Sequence, residues 1–205
     1  QVKDNVYSFE TDSGKIDAIT GKISAGYQWS GDAVYIMQQA EANDVELNFA
    51  IPEECTNMYF DGWAMLKSGI NGNSEKKKAA EAFVNFVSMP ENAVRNMYYI
   101  GYTSVISGGQ SPVIYDYLKW NYGLESLMEE DDTISEADAI DYSLGYFFSG
   151  VSNDSRYILR TSKAQTEGML SAQYPTEEVM HRSAIMQYFD NDETARINQM
   201  WINVR

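Results

Sequence analysis

The sequence predicts an α/β fold with a helix-rich C-terminal half, on three observations. Strand-like segments alternate with amphipathic helical stretches up to about residue 107, strand signals become scarce beyond Gly108-Gly109, and the C-terminus carries the cleanest helical repeat. A chain of 205 residues can bury a real core, as one domain or as two small lobes.

Taken in order, Asp12-Ser13-Gly14 marks a turn before a short helix, and 22–29 alternates weakly, as a buried strand does. Ser30 is placed to cap a helix with Asp32 in its first turn and Ala33, Ile36, Met37 and Ala40 on one face. Two further strands are expected at 45–51, closed by Pro52, and at 63–66. After a polar loop ending in Ser74, Ala79, Ala80, Phe83, Val84 and Val87 form one apolar stripe. Pro90 suits the first turn of the next helix, whose inner face is Val94, Met97 and Tyr98 and whose end is Gly101. Beyond it, helices are expected at about 112–122, 135–148 and 176–189. Asp190 or Asn191 caps a last helix in which Ile197, Met200, Trp201 and Val204 recur at i, i+3, i+4 and i+7, with Trp201 expected inward.

Composition narrows the function classes. Hydrophobic residues at 44% and charged residues at 22% are ordinary for a folded globular chain. No apolar run approaches the roughly 18 residues of a membrane span. Gln1-Val2-Lys3-Asp4 is not the start of a signal sequence, so any export signal or anchor is expected upstream. Thirty acidic against fifteen basic residues leave a net charge of -15, which repels phosphate backbones and anionic lipid and favours cationic ligands. Nucleic acid is therefore not an expected partner. Cys55 is the one cysteine and reads as a small buried thiol, with neither a disulfide nor a zinc ligand set available to it.

The sequence offers little that moves protons or attacks carbonyl or phosphoryl groups. It has one histidine, His181, in a polar helical stretch, where a surface position is expected. Neither a G-x-S-x-G elbow, a P-loop nor a G-x-G-x-x-G is present. Glu53 and Glu54 are adjacent and diverge in ordinary backbone, and Glu129-Glu130-Asp131-Asp132 reads as an acidic loop rather than a cation site. The expectation is a binding protein without catalytic residues, metal or cofactor. What stands out instead is the 13% aromatic content. In extended backbone, Tyr59 and Asp61 point to one side, joining a ring to a carboxylate. Organic ammonium groups are held by that combination, through charge and acceptors on one side and a π face on the other. Spacing alone leaves open a core tyrosine beside a turn-forming aspartate.

Trp29-Ser30-Gly31-Asp32-Ala33, then Tyr59-Phe60-Asp61, then Ile100-Gly101-Tyr102 resembles, in order and interval, the later part of bacterial spermidine/putrescine-binding proteins of ABC importers. Tyr174-Pro175, Gln187 and the closing amphipathic helix are similar to that family's C-terminus. The resemblance implies part of a two-lobe periplasmic-binding-protein type II-like fold. Residues 1–107 would correspond to the second lobe and hinge, 108–173 to a helix-rich insertion and 174–205 to C-terminal helices packing back on the α/β lobe. It implies capture of a polyamine, with Trp29, Tyr59 and Tyr102 as rings around the chain, Asp61 on an ammonium group and Gln187 bonding one end. Permease subunits would be the partners, at the periplasmic or cell-surface side, with the membrane reached only through an upstream anchor or a fused permease. Tyr59 stands where that family often has tryptophan, which keeps an aromatic wall. An alternative is a protein-interaction domain of the same ancestry, using Tyr115, Tyr117, Trp120, Tyr122, Tyr146, Phe147 and Phe148 of the insertion.

Overall fold

The computed structural model describes residues 3–10, 12–109 and 111–204 and shows a mixed helix-and-sheet protein in which helices dominate. A turn at Asp12-Ser13 leads into α1 (Gly14–Ile19), whose Ala18 and Ile19 are buried. The segment 22–29 then runs without a strand, because Ser24 and Gly26 interrupt its apolar pattern and no strand among the described residues pairs with it; Tyr27 is 86% exposed. Helix α2 (Ser30–Glu41) buries Ala33, Ile36, Met37 and Ala40 as expected, and Val34 and Asp32 as well. Trp29, not Ser30, is its N-cap, and no side chain caps it.

Along 45–51 the even residues Glu46, Asn48 and Ala50 face solvent while Val45, Leu47, Phe49 and Ile51 turn partly inward, the period of a strand. The Phe49 N–H donates to the Glu167 carbonyl at 3.1 Å, but no ladder forms, so the segment is extended rather than a strand. Pairing occurs just downstream instead, in β1 (Asn57–Met58). The expected strand at 63–66 is an exposed irregular segment, with Trp63 68% exposed against the edge of Phe83. Cys55 is exposed, correcting the buried-thiol expectation, since it sits in the polar turn after Pro52 rather than on an inward face.

After α3 (Lys67–Ile70), the side chain of Asn73 accepts from the Lys76 N–H and caps α4 (Ser74–Val87), one residue before the Ser74 expected for that role. The apolar stripe of α4 meets no core: Ala80, Val84 and Val87 are half-buried, and Phe83 and Phe86 are exposed. Helix α5 (Pro90–Ile100) begins on its proline and buries Ala93 and Met97, whereas Tyr98 faces out against Trp120. Gly101 ends it in the left-handed conformation, φ 76°, and donates to the Met97 carbonyl.

The main core lies in the second half. Helices α6 (Val113–Tyr122) and α7 (Leu124–Glu130) place Ile114, Leu118, Tyr122, Leu124 and Leu127 inside. The helix expected at 135–148 is instead a hairpin strand. Ser135 and Asp138 close a capping box around a single 3-10 turn, and β2 (Ala139–Ser143) follows, with α8 (Gly145–Phe148) confined to one turn. The antiparallel partner is β3 (Ile158–Ser162), in register Ile140 to Thr161 and Tyr142 to Leu159. Helical periodicity misreads such a stretch when its apolar residues are close and its partner lies beyond a loop. Tyr117, Tyr122 and Tyr142 join Leu144, Leu159 and Leu170 in one cluster, with Phe147 and Phe148 packed against it. Trp120 alone among the expected interaction rings is largely exposed, while Tyr115 and Tyr146 are half-buried.

Helices α9 (Lys163–Thr166) and α10 (Met169–Gln173) return the chain to α2, where Ala172 packs on Val34 and Met37. Helix α11 (Glu177–Arg182) stops short of the expected residue 189, because the chain leaves it to form β4 (Ala184–Ile185), parallel to β1. The last helix, α12 (Asn191–Val204), is capped by Asp190, whose carboxylate accepts from the Glu193 N–H at 2.8 Å. Trp201 is not inward: it is 44% exposed, touching Phe9, and no described residue of α12 is buried. The described chain exposes 14507 Å², against the roughly 9,700 Å² that mass scaling gives a compact monomer of its size. The outlying helices α4 and α12, none of whose described residues is buried, add to this, since amphipathicity creates an apolar stripe without supplying a surface to cover it.

Candidate aromatic cleft

Three separate chain segments meet at the parallel pair β1–β4. The Ala184 N–H donates to the Thr56 carbonyl and the Met186 N–H to the Met58 carbonyl, each at 2.9 Å, which draws 184–186 alongside 56–60. Trp29, at the head of α2, sets its ring edge against Tyr59, with centroids 4.7 Å apart and planes at 72°. Tyr102, just past the end of α5, completes the aromatic wall. The resulting cleft has a volume of about 480 Å³ and is lined by Trp29, Tyr59, Tyr102 and Asp61. Met58, Phe60, Ile185 and Met186 supply the rest of its surface.

The local chain explains why Tyr102 sits there. A Cβ at Gly31 would approach Tyr102 Cε2 to 2.5 Å and Cδ2 and Cγ more closely, so the ring lies on bare backbone in the first turn of α2. Gly101 is equally constrained, since a Cβ there would come within 2.6 Å of the Gly31 carbonyl oxygen and strain a positive φ. Gln173, 4% exposed, locks this junction from behind. Its Nε2 donates to the Gly101 carbonyl and its Oε1 accepts from the Tyr122 hydroxyl, each at 2.8 Å, while its backbone carbonyl accepts from Thr103 Oγ1 at 2.7 Å.

The two carboxylates near the rings have different roles. Asp32, 8% exposed, lies behind Tyr102 and pairs with Lys15 Nζ at 2.9 Å, so its charge is already matched. Asp61 is exposed and lines the cleft itself. Burial is the main cause holding the Tyr102 hydroxyl well above the usual phenol range, and the neighbouring Asp32 charge adds to it. Tyr59 is raised as well, by burial first, with Asp61 and Asp32 adding to it against hydrogen bonding from Ser30. Both rings therefore stay neutral at physiological pH, and among the described residues Asp61 is the charge of the wall without an ion-pair partner.

No family model and no solved structure matches this chain. Its site is read from its own geometry. Of the five residues singled out in the sequence, Trp29, Tyr59, Asp61 and Tyr102 converge on one cleft. Gln187 is exposed and is not among the residues lining the cleft, because the pairing that holds this segment against 56–58 ends at the Met186 N–H. Sequence reasoning missed Ile185 and Met186, which belonged to an expected helix, and missed Gly31 as the floor under Tyr102. His181 is exposed, with its Nε2 3.3 Å from Glu177. Among the described residues no group of three or more His, Cys, Asp or Glu side chains is placed to hold a metal ion, and no helix is long and apolar enough to cross a membrane.

Proposed function

We propose that this chain captures a small organic ammonium ligand of the putrescine or spermidine type, as the extracytoplasmic solute-binding component of an ABC importer. The observation that carries this is the meeting of Trp29, Tyr59 and Tyr102 with the unmatched carboxylate of Asp61 around one cleft. A primary ammonium group takes Asp61 as its charge partner, and the methylenes behind it pack along the rings. Asp32, neutralised by Lys15, acts on Tyr102 rather than on ligand. The motif order shared with polyamine-binding proteins and the net charge of -15 support the same assignment. In a two-lobed fold of that family this cleft is one wall, and closure about a hinge brings up the other. Its work is binding, without a chemical step.

Tryptophan fluorescence tests the assignment. Putrescine should change the emission saturably at near-physiological salt, and Trp29→Phe should remove most of the change. A signal that survives unchanged in Trp29→Phe rules out this cleft as the site.

A further inference from the structure

Two amphipathic helices of the chain leave an apolar stripe uncovered. On α4, Lys76, Ala79, Phe83 and Phe86 recur at i, i+3, i+7 and i+10 and are all exposed, with Trp63 against Phe83 widening the patch. On α12, Glu193, Ile197, Met200 and Val204 recur at i, i+4, i+7 and i+11; Ile197 is half-buried and the others are exposed. The surface of the described chain exceeds that of a compact monomer by roughly 4,800 Å², where a stable dimer needs about 800 Å² from each partner.

The charges at the heads of the two stripes are opposite. Helix α4 opens on Lys76, Lys77 and Lys78, the densest run of bases in a chain of net charge -15. These lysines stand at the positive end of their own helix dipole, and of the three only Lys77 has an ion pair among the described residues, to Glu81 at 3.6 Å. Helix α12 opens on Asp192 and Glu193, and the Glu193 carboxylate accepts from the Asp190 N–H but has no cationic partner among the described residues. Laid parallel, the two helices bring Lys76 to Glu193, Phe83 to Met200 and Phe86 to Val204. Laid antiparallel, Lys76 meets the acid-free stretch 194–204 and Glu193 the uncharged stretch 82–87, so neither charge is answered. Pairing α4 with another α4, or α12 with another α12, sets like charges together or a charge on apolar surface. The complement of each stripe is therefore the other helix. Within one copy both stripes stay open, and a second copy offers both complements, so a two-fold axis makes the same contact twice. The net charge of each copy opposes approach, but at physiological ionic strength that repulsion is screened beyond about 8 Å and the contacting pairs decide.

We propose that α4 and α12 form a homodimer interface, α4 of each copy docking parallel on α12 of the other. It is independent of the aromatic cleft. Neither helix feeds the main core, so each copy stays folded when the pair separates. Sedimentation velocity of the full chain up to about 100 μM, well above the micromolar or tighter range of a standard-size interface, is expected to show a monomer–dimer equilibrium. Phe83→Ser and Met200→Ser, both at exposed positions, should each weaken the dimer tenfold or more. Lys76→Glu and Glu193→Lys should each do the same alone. Mixing those two proteins in equal amounts should restore the dimer, because every contact of the mixed pair again joins a base to an acid. A chain that stays monomeric throughout leaves the stripes to some other occupant and overturns the proposal. A dimer that both serine variants leave intact, or a mixture no more dimeric than its components, overturns it too. If Glu193→Lys frays α12, seen as lost far-UV dichroism, the two serine variants decide.

Discussion

Gly31→Ala perturbs the cleft from beneath, without replacing a side chain that meets the ligand. The added methyl would stand 2.5 Å from Tyr102 Cε2 and closer still to Cδ2 and Cγ, where carbon atoms normally rest about 3.5–4.0 Å apart. The clash involves the near side of the ring, so a small rotation of its far end cannot relieve it. Tyr102 must leave its place on α2, or the first turn of α2 must shift. Overpacking of this kind costs about 1–3 kcal/mol, and the gain from replacing glycine in a helix is at most ~1 kcal/mol, smaller in a first turn. Gly31→Ala should therefore destabilise by about 1–2 kcal/mol net. In a Tyr102→Ala background the same methyl has room, and the substitution should become neutral or slightly stabilising. Urea unfolding of the four proteins in this cycle measures the coupling, expected at about 1–3 kcal/mol. A coupling below about 0.5 kcal/mol would mean that the ring does not rest on Gly31, and the account of how Tyr102 is positioned would fail.

Gln173→Leu removes the amide between Gly101 and Tyr122 and leaves a buried carbonyl and a buried hydroxyl unsatisfied; a loss of roughly 2–4 kcal/mol in urea unfolding is expected, and a loss below about 1 kcal/mol contradicts the bonding described. Burial raises Tyr117 and Tyr142 to about 12, so the unfolded chain ionises first as pH climbs past the ordinary phenol value. Their contribution to stability is thus complete below about pH 10 and is lost as pH rises through about 12, which thermal melts across pH 8 to 12 should display as a falling midpoint. Asp190→Ala should fray α12 at a cost of about 1 kcal/mol to that helix. Because α12 contributes nothing to the core, far-UV dichroism should lose helix while the main unfolding midpoint stays put.

How far the sequence could be read depended on whether an element carries its own signals. Helices α2 and α5 were legible because the Asp32 first turn, Pro90 and Gly101 are local chemistry, and their inner faces repeat at helical spacing. Strands β2 and β4 were not, since a strand is completed by a partner that spacing cannot locate. Tyr142 needs Leu159 opposite it, and Ile185 needs Met58. The opposite error occurred at α4 and α12, whose periodic stripes invite burial although Phe83 and Met200 stay more than half exposed in the described chain. The cleft was partly legible: Trp29, Tyr59, Asp61 and Tyr102 were marked by type and order. Its floor and far rim were hidden, because Gly31 matters only through the ring resting on it and Met186 only through pairing with β1.

The most direct test of the account is calorimetric titration of putrescine into the chain and into Asp61→Asn, near physiological salt, with Asp132→Asn as a control for the diffuse charge. Loss of the one unmatched carboxylate in the cleft should weaken binding tenfold or more, about 1.4 kcal/mol per factor of ten, while the control stays within twofold. Equal binding by all three proteins, or none by the unmodified chain, would contradict the claim that the wall of Trp29, Tyr59, Tyr102 and Asp61 captures an organic ammonium group.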